Sequence, residues 1–555
     1  MVPSPLYVYI NWSAYDELSD SKELNESLAM VQFDHFLRLR KAGARLDCYL
    51  MDAFWYTPNS GYRTWRNRSW PKGPYRWLKA CKDNHVLPGL WFSVNCLDFS
   101  KVGVSPAWKG SLNRDASCAS LFAGPFLKDF LAALQHWYTQ GVRVFKLDFA
   151  DFDAATEQAQ KTMLPEKIRE KNSAALYAGL TAFRKKNQDA IFLAYNGFGG
   201  IINNTSIPFT KTIDKKWLTV FASLYCGDPR PADVACANFW RSKDIYSDHM
   251  VRHFAMNGIP LKRIDNAGFM VGNTGTCYNR KTAAWKAMLL LSLARGGLVN
   301  TYYGDLGLLG NTAARFFAKA QALFAPFLEQ GSTRTWGGTP GLAEPYGYYS
   351  TLGKDALVTV VNPSQLFQKM PVPKNGPCSL LFHDSGFVPQ LKNNTVLLGP
   401  EQMCLLGFGA YGNEKHALGV EEGVKVPLEI KDLRARFTPT GHNTITVVVK
   451  PPANKDLRII MTQCKDGKAF RSTGGALPNG RPMGEILKIR AMQEKKTMPV
   501  IIQYNKAIWS GLSHAVGTIA GKKLKAGIPL SITCSSAEVA QLELKGAVYG
   551  TTPIT

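Results

Sequence analysis

The chain has 555 residues, of which 45% are hydrophobic and 11% aromatic, a composition typical of globular proteins with a filled core. At about 150 residues per domain this length predicts two to four domains, and a barrel that takes up about 250 residues or more reduces the number to two or three. No window reaches the ~20 uninterrupted apolar residues of a membrane-spanning helix, so we expect no membrane partner.

The net charge of +24, from 66 lysines and arginines against 42 aspartates and glutamates, favours a polyanionic partner. Polyanion binding is therefore one hypothesis for function. However, the basic clusters are short, and the sequence has no arginine-rich arm, zinc finger or aromatic–basic RNA-recognition pattern. We expect no nucleic-acid partner, whereas an anionic carbohydrate stays open as a substrate. The sequence does not indicate an oligomeric state.

The N-terminus lacks the basic and apolar regions of a signal peptide, so we expect a cytoplasmic protein, or a periplasmic or secreted one if the start has been trimmed. The eleven cysteines are scattered without a Cys-x-x-Cys pair and predict neither a disulfide framework nor a zinc site. His249 and His253 lie one helical turn apart beside Asp248, but no third ligand is evident, and the pattern favours a surface helix face. No metal or cofactor is expected.

The first 330 residues alternate short strand-like runs with longer helical stretches, the pattern of repeated β–α units. The eight strand candidates are 6–12, 46–55, 87–94, 142–149, 190–196, 217–226, 260–270 and 297–303. The helical stretches are 24–42, 75–84, 122–140, 163–186, 244–257 and 282–295. This count predicts a (β/α)8 TIM barrel over residues 1–330. An open doubly wound sheet is disfavoured because no Gly-x-Gly-x-x-Gly follows the first strand.

Beyond residue 330 glycine and proline become frequent and short β-rich runs follow one another. The first group, at 346–349, 356–361, 378–382, 395–398 and 403–409, predicts an antiparallel β-sandwich domain over 331–412. A polar, glycine-rich linker is predicted at 410–423. A second group, at 428–437, 444–449, 456–462, 486–492 and 530–534, predicts a further β-rich C-terminal domain over 424–555.

Aspartates, asparagines and tryptophans recur where the predicted barrel strands end, which is where barrel enzymes place their active sites. Aromatic rings stack on the apolar face of a sugar, and carboxylates and amides bind its hydroxyls. The pattern therefore predicts a carbohydrate pocket, with an oligosaccharide or polysaccharide as partner. The residues expected to contact substrate are Asn11, Trp12, Asp52, Trp55, Trp91, Lys146, Asn196, Arg230 and Asp265.

Asp148, at the end of the fourth predicted strand, is the candidate catalytic nucleophile. Lys146 precedes it by two residues, so both side chains lie on one face of the strand, and the cation favours the ionised carboxylate. Glycoside hydrolysis needs a second carboxylate, about 5–5.5 Å away for retention or ~6.5–9.5 Å for inversion. Asp228 and Asp233, after the sixth predicted strand, are both candidates for this acid/base. An isolated Lys-x-Asp is more often a solvated ion pair, but the other polar strand ends favour a site.

The segment 146–149, Lys-Leu-Asp-Phe, resembles the nucleophile strand of the α-galactosidase-like hydrolases of families 36 and 27 in clan D. The segment 90–92, Leu-Trp-Phe after Pro-Gly, is similar to the Gly-Leu-Trp-Phe of their third strand. The segment 225–228, Tyr-Cys-Gly-Asp, is similar to the sixth-strand Trp-Thr-Ser-Asp, whose aspartate is the general acid/base. The resemblance covers roughly residues 5–330.

This resemblance implies a retaining, two-step hydrolysis of α-linked galactose-type sugars, as by an α-galactosidase or an α-N-acetylgalactosaminidase. Asp148 would form the glycosyl-enzyme, and Asp228 would protonate the leaving oxygen and then activate water. Family members carry paired aspartates at the second strand, whereas here Asp52 stands alone, which leaves the sugar open. Arg230 lies three residues before Asp233, so Asp233 is an alternative acid/base. These departures also leave open a carbohydrate-binding protein on a catalytically degenerate scaffold.

Overall fold

The computed structural model describes residues 4–553 except for 18–20, 199–212, 228–244, 266, 275–280, 341–343, 365, 385, 422–428, 466–467, 470–486, 505–513 and 538–542. Within the described ranges, none of the helices combines the length and the apolar character needed to cross a membrane.

Nine parallel strand segments form one curled sheet in the first part of the chain. They are β1 Leu6–Ile10, β2 Cys48–Met51, β3 Leu87–Ser93, β4 Val144–Asp148, β5 Ile191–Ala194, β6 Ser223–Tyr225, β7 Ile264–Asp265, β8 Ala267–Val271 and β9 Val299–Gly304. Their order is β7-β6-β5-β4-β3-β2-β1-β9-β8. The two end segments, β7 and β8, are consecutive in the chain with only residue 266 between them. The predicted seventh strand is therefore present as two segments, and the curled sheet is consistent with a TIM-like barrel.

Eight α-helices accompany this sheet in the described ranges. They are α1 Glu26–Lys41, α2 Tyr75–Asp83, α3 Phe126–Thr139, α4 Glu157–Thr162, α5 Pro165–Lys186, α6 Ile245–Met256, α7 Trp285–Ala294 and α8 Asn311–Glu329. The six predicted helices are confirmed, whereas α4 and α8 were not predicted. The start of α1 follows from local chemistry, because the side chain of Asn25 accepts a hydrogen bond from the Leu28 N–H at 2.8 Å.

The core of the curled sheet continues into the chain that follows it. One hydrophobic cluster contains barrel residues together with Tyr348, Leu357, Phe382 and Leu405, which lie beyond the barrel. Helix α7 is buried at every residue except Lys286, and it contacts β8, α8 and a strand beyond the barrel. A helix that is apolar all round must be covered on every side. The barrel and the next β-rich region therefore pack as one body.

That region contains a six-stranded and a three-stranded sheet. The six strands are β10 Ser332–Gly337, β11 Tyr346–Leu352, β12 Asp355–Val361, β14 Cys378–Asp384, β17 Met403–Phe408 and β18 Gly419–Glu421, and the three are β13 Gln368–Pro371, β15 Gln390–Lys392 and β16 Thr395–Leu398. Val358 and Leu406 of the larger sheet share a hydrophobic cluster with Met370 and Leu398 of the smaller one. Strand β18 pairs with β14. The predicted linker at 410–423 therefore contributes a strand to this sheet, because its Gly-Val-Glu run is hydrogen-bonded there.

The last part of the chain contains two further sheets. One has β19 Ile430–Asp432, β22 Asp456–Lys465, β23 Lys468–Ala469, β26 Ile501–Tyr504, β27 His514–Ile519 and β29 Glu543–Thr551, and the other has β20 Thr438–Gly441, β21 Thr444–Val449, β24 Leu487–Gln493, β25 Lys496–Met498 and β28 Leu530–Ser536. Along β24 buried and exposed residues alternate, as a strand with one covered face requires. Ile459, Ile489 and Ile532 belong to a hydrophobic cluster separate from that of the barrel.

Helix α6 does not present the surface face expected around Asp248 and His249, since both residues are buried. The Asp248 carboxylate accepts hydrogen bonds from the Arg295 guanidinium at 2.8 Å, the Tyr348 hydroxyl at 2.7 Å and the Tyr346 hydroxyl at 2.5 Å. The prediction of a surface face is wrong at Asp248 and His249, because β11 supplies two of these donors, Tyr346 and Tyr348, from beyond the barrel. A buried carboxylate with such partners links α6 to α7 and β11.

Candidate active site

Asp148 is the last residue of β4 and is held by four hydrogen bonds. Its Oδ1 accepts from the Phe149 N–H at 2.9 Å, the Asn196 N–H at 3.1 Å and the Asn196 amide group at 2.8 Å. Its Oδ2 accepts from the Trp91 indole N–H at 2.9 Å. Phe149 has a φ of +49°, a left-handed conformation rare for an aromatic residue, and its N–H contacts the preceding carboxylate. The carboxylate orientation is therefore fixed by β3, β4 and the end of β5.

The two oxygens of Asp148 are not equivalent. Among the residues that the structure describes, Oδ1 accepts three hydrogen bonds and Oδ2 accepts one. A carboxylate oxygen has two lone pairs, so Oδ2 keeps one for a further partner. Trp91 and Asn196, both predicted to be site residues, hold different oxygens of this carboxylate, Trp91 the Oδ2 and Asn196 the Oδ1.

Burial governs the protonation of Asp148. Removal from water raises the pKa of this carboxyl above its ordinary value, against the opposing effects of the Lys146 charge and the hydrogen bonds from Trp91 and Asn196. The desolvation effect is the largest of these. The ionised carboxylate therefore depends on its charged and polar neighbours more than a solvated aspartate does.

Lys146 forms an ion pair with Asp52 inside the curled sheet. Its Nζ lies 2.7 Å from Asp52 Oδ2, and both side chains are almost completely buried. The same Nζ lies 3.4 Å from the Tyr303 hydroxyl and 4.2 Å from the centre of the Tyr195 ring. Lys146 thus shares a face with Asp148, as its spacing predicts, but donates to Asp52. Its effect on Asp148 is electrostatic.

Asn11 positions Asp52. The Asn11 Oδ1 accepts a hydrogen bond from the Asp52 N–H at 2.9 Å, and the Asn11 amide lies 3.0 Å from Met51 Sδ. Asp52 Oδ1 accepts from the Ala53 N–H at 2.8 Å. Asn11 is fully buried, and its hydrogen bond with the Asp52 N–H fixes the turn after β2.

Tyrosines that the sequence analysis did not assign to the site continue this network. The Tyr303 hydroxyl donates to the Tyr195 hydroxyl at 3.0 Å, and the Tyr195 hydroxyl donates weakly to Asp265 at 3.5 Å. Thr301 donates to the other oxygen of Asp265 at 3.0 Å. Burial raises the pKa of Asp265 to about 7. Both tyrosines stand at predicted strand ends, and this position alone could have predicted them as site residues.

The two predicted tryptophans at the first strand ends lie in different places. Trp12 is 8% exposed, with its ring against Tyr15 and Phe54 after β1. Trp55 is fully buried, and its ring contacts Trp137 of helix α3. The structure therefore does not bring Trp55 to the strand ends as a substrate contact. The reason is that β2 ends at Met51 and Phe54 turns the chain with a φ of +68°, which directs Trp55 toward the helices.

The three remaining candidates, Asp228, Arg230 and Asp233, lie outside the described residues. Strand β6 ends at Tyr225, three residues before Asp228, and the Tyr225 ring stacks on that of Tyr195 at 4.1 Å. The acid/base therefore stays a prediction.

No protein-family model and no curated protein matches the sequence. Solved structures with a similar course of the chain include a family 36 α-galactosidase from Geobacillus stearothermophilus in complex with raffinose, at 12% identity and a TM-score of 0.48 over 73% of this chain and 56% of that one. The chain thus spans about half the length of that enzyme.

Two smaller enzymes are covered almost completely. A family 27 β-L-arabinopyranosidase from Geobacillus stearothermophilus matches at 11% identity and a TM-score of 0.47, over 74% of this chain and 98% of that one. An α-galactosidase from Mortierella vinacea matches at 13% identity and a TM-score of 0.47, over 74% of this chain and 99% of that one. In structure the chain is similar to glycoside hydrolases of families 36 and 27.

Proposed function

We propose that this protein is a retaining α-glycoside hydrolase that acts on α-linked galactose-type sugars, with Asp148 as its nucleophile. The observation that carries the proposal is the oriented carboxylate at the end of β4, where the described part of the chain supplies three hydrogen bonds to Oδ1 and one to Oδ2. Barrel enzymes place their catalytic groups at such strand ends. The resemblance of the segment 146–149 to the nucleophile strand of families 36 and 27 supports the same assignment.

In the first step Oδ2 of Asp148 forms a bond to the anomeric carbon while the glycosidic bond breaks. The leaving oxygen takes a proton from the acid/base, for which we propose Asp228, with Asp233 as the alternative. Attack converts a buried carboxylate into a neutral ester, so the desolvation that raises the pKa of Asp148 also favours the covalent intermediate. Water activated by the same acid/base then releases the sugar with retained configuration.

The charges around Asp148 favour a neutral sugar over an acidic one. The ion pair with Asp52 compensates the charge of Lys146 close to the site, and both groups are buried. Trp12 after β1 is buried but retains 8% exposure, and the edge that it leaves accessible would contact the apolar face of the sugar. The positive charge of the whole chain is the reason to include uronides in the substrate screen.

The test is hydrolysis of aryl α-glycosides (galactoside, N-acetylgalactosaminide, glucoside and uronide) by the wild type and by Asp148→Asn. We expect the wild type to release the aryl group from an α-galactose-type substrate with retention, and Asp148→Asn to lose more than about 10⁴-fold in kcat. The control is Asp153→Asn, five residues further on, where an exposed carboxylate pairs with Arg169. Its rate should equal that of the wild type.

A covalent adduct gives a second readout. A 2-fluoro α-galactosyl fluoride should label the peptide that contains Asp148 in the wild type and not in Asp148→Asn. Equal turnover by Asp148→Asn and the wild type would exclude the proposed nucleophile. Binding of the glycosides without any cleavage by the wild type would favour the degenerate, carbohydrate-binding alternative.

A further inference from the structure

Two cysteines and an aspartate meet beside the candidate active site, although they are far apart in the chain. Cys96 follows β3 and pairs across an isolated antiparallel bridge with Cys118. The two Sγ atoms lie 3.8 Å apart. One carboxylate oxygen of Asp151 and the two sulfurs all lie within 4.8 Å of one another, and the three residues are partly exposed. Asp151 follows Asp148 by three residues.

The spacing of the sulfurs suits a shared metal ion. With zinc–sulfur distances of about 2.3 Å and a tetrahedral angle, two thiolate ligands of one zinc ion lie about 3.8 Å apart. A disulfide would require the same atoms to approach to about 2.05 Å. Two thiolates and a carboxylate are a donor set that zinc accepts, with a water molecule as fourth ligand at a partly exposed position.

The backbone that carries the ligands is held in place by one side chain. Asn95 donates to the Asp151 carbonyl at 2.7 Å and accepts from the Asp151 N–H at 2.7 Å. It also donates to the Ala119 carbonyl at 2.7 Å, next to Cys118. Asn95 thus connects the segments of all three ligands. Such outer-sphere hydrogen bonds orient metal ligands in known sites.

We propose that Cys96, Cys118 and Asp151 bind one zinc-class divalent cation. The ion fastens the loop between β3 and α3 to the segment after β4, and so supports the position of Asp148. The evidence for this site, and the test of it, do not depend on the glycosidase activity proposed above. The separation of the ligands in the chain, with no Cys-x-x-Cys, explains why the sequence pattern did not predict it.

The test is titration of the full-length, reduced and chelator-treated protein with Co²⁺, which reports thiolate ligands by charge-transfer absorption in the near ultraviolet. We expect the band to saturate at about one equivalent per chain and to disappear when Zn²⁺ displaces the cobalt. Cys96→Ser and Cys118→Ser should remove the band, and Asp151→Asn should lower the cobalt affinity at least about tenfold. Cys378→Ser, at a partly exposed cysteine in β14, is the matched control and should keep it.

Alkylation of the wild type gives a readout that does not depend on the folding of a variant. Zn²⁺ should slow the modification of Cys96 and Cys118 at least about tenfold and leave Cys378 unchanged. The proposal is overturned if the wild type shows no cobalt band, or if the double variant Cys96→Ser/Cys118→Ser retains it. It is also overturned if Zn²⁺ protects Cys378 equally, or if Cys96 and Cys118 form a disulfide in air despite excess Zn²⁺.

Discussion

At the scale of single residues, the candidate site depends on one buried charge and the groups that stabilise it. Burial raises the pKa of Asp148, while the Lys146 charge and the hydrogen bonds from Trp91 and Asn196 lower it. An enzyme that needs this carboxylate ionised loses activity as the pH falls through that raised pKa. The acidic limb of kcat/KM should therefore lie above the range of an ordinary aspartate.

The indole of Trp91 gives the sharpest test of this balance. Trp91→Phe keeps a ring but removes the hydrogen bond to Oδ2, so it should raise the pKa of Asp148 and move the acidic limb to higher pH. A hydrogen bond to a charged group contributes about 1.5 kcal/mol or more, which corresponds to about one pH unit. The measurement is kcat/KM against pH on an aryl α-galactoside.

Trp55→Phe is the control for that shift, because the Trp55 indole donates to the Trp91 carbonyl at 2.9 Å and not to the carboxylate. Its acidic limb should coincide with that of the wild type, whatever the variant costs in stability. An unmoved limb in Trp91→Phe would show that the ionisation of another group sets the pH dependence.

At the scale of elements, Asp265 joins three strands that are distant in sequence. It stands on β7, accepts a hydrogen bond from Thr301 on β9 and lies within reach of Tyr195 after β5. These contacts connect the two ends of the curled strand order, where the predicted seventh strand is divided at residue 266. A backbone hydrogen bond from the Leu298 N–H to the Lys262 carbonyl, at 3.1 Å, joins the segments that lead into β9 and β7, and the Asp265 contacts add a side-chain link further along these strands.

Asp265 should make the stability of the fold depend on pH. Its pKa is raised to about 7 in the folded protein, so the folded state binds a proton that the unfolded state releases above about pH 4. The stabilisation from the bound proton is complete below the pKa that Asp265 has in the unfolded chain, and it is lost as the pH rises through the folded-state pKa of about 7. Asp265→Asn keeps an acceptor oxygen without the charge and should therefore gain stability relative to the wild type between pH 5 and pH 8.

The free energy of unfolding of Asp265→Asn minus that of the wild type should increase by about 2 kcal/mol from pH 5 to pH 8. Urea denaturation of both proteins at the two pH values measures this change. Asp83→Asn, on the exposed end of α2 where the carboxylate pairs with Lys79, serves as the control and should show no such difference. A constant gap between Asp265→Asn and the wild type at both pH values would contradict the assignment.

At the scale of the whole molecule, the core of the last region shares no residue with the barrel cluster, whereas the first β-rich region contributes to the barrel cluster and also encloses a smaller one of its own. The barrel and the first β-rich region share one cluster, and the two sheets of the last region surround another. The last region also has a distinct charge, with 20 lysines and arginines against 8 aspartates and glutamates over residues 424–555. Separate cores predict separate cooperative units.

Two core substitutions test this division. Ile532→Ala, in the cluster of the last region, should lower the midpoint of one thermal transition and leave the other in place. Leu405→Ala, in the cluster shared with the barrel, should do the reverse. Each removes a fully buried side chain, and such changes cost about 2–5 kcal/mol. Differential scanning calorimetry would distinguish the two transitions, and a single transition that moves in both variants would contradict the division.

The sequence by itself determined the alternation of strands and helices and the shared face of Lys146 and Asp148, because these depend on local periodicity. It also placed Trp91 and Asn196 at strand ends, where both contact Asp148. Local periodicity gives the direction of a side chain but not its distant partner.

Tertiary structure alone decided that Lys146 pairs with Asp52, that Trp55 faces the helices, and that Cys96, Cys118 and Asp151 meet. The partners lie tens of residues apart in each case. Their approach depends on how the parallel strands are ordered and where each one ends. Sequence spacing carries no information about that order, since it is set by the packing of the whole sheet against its helices.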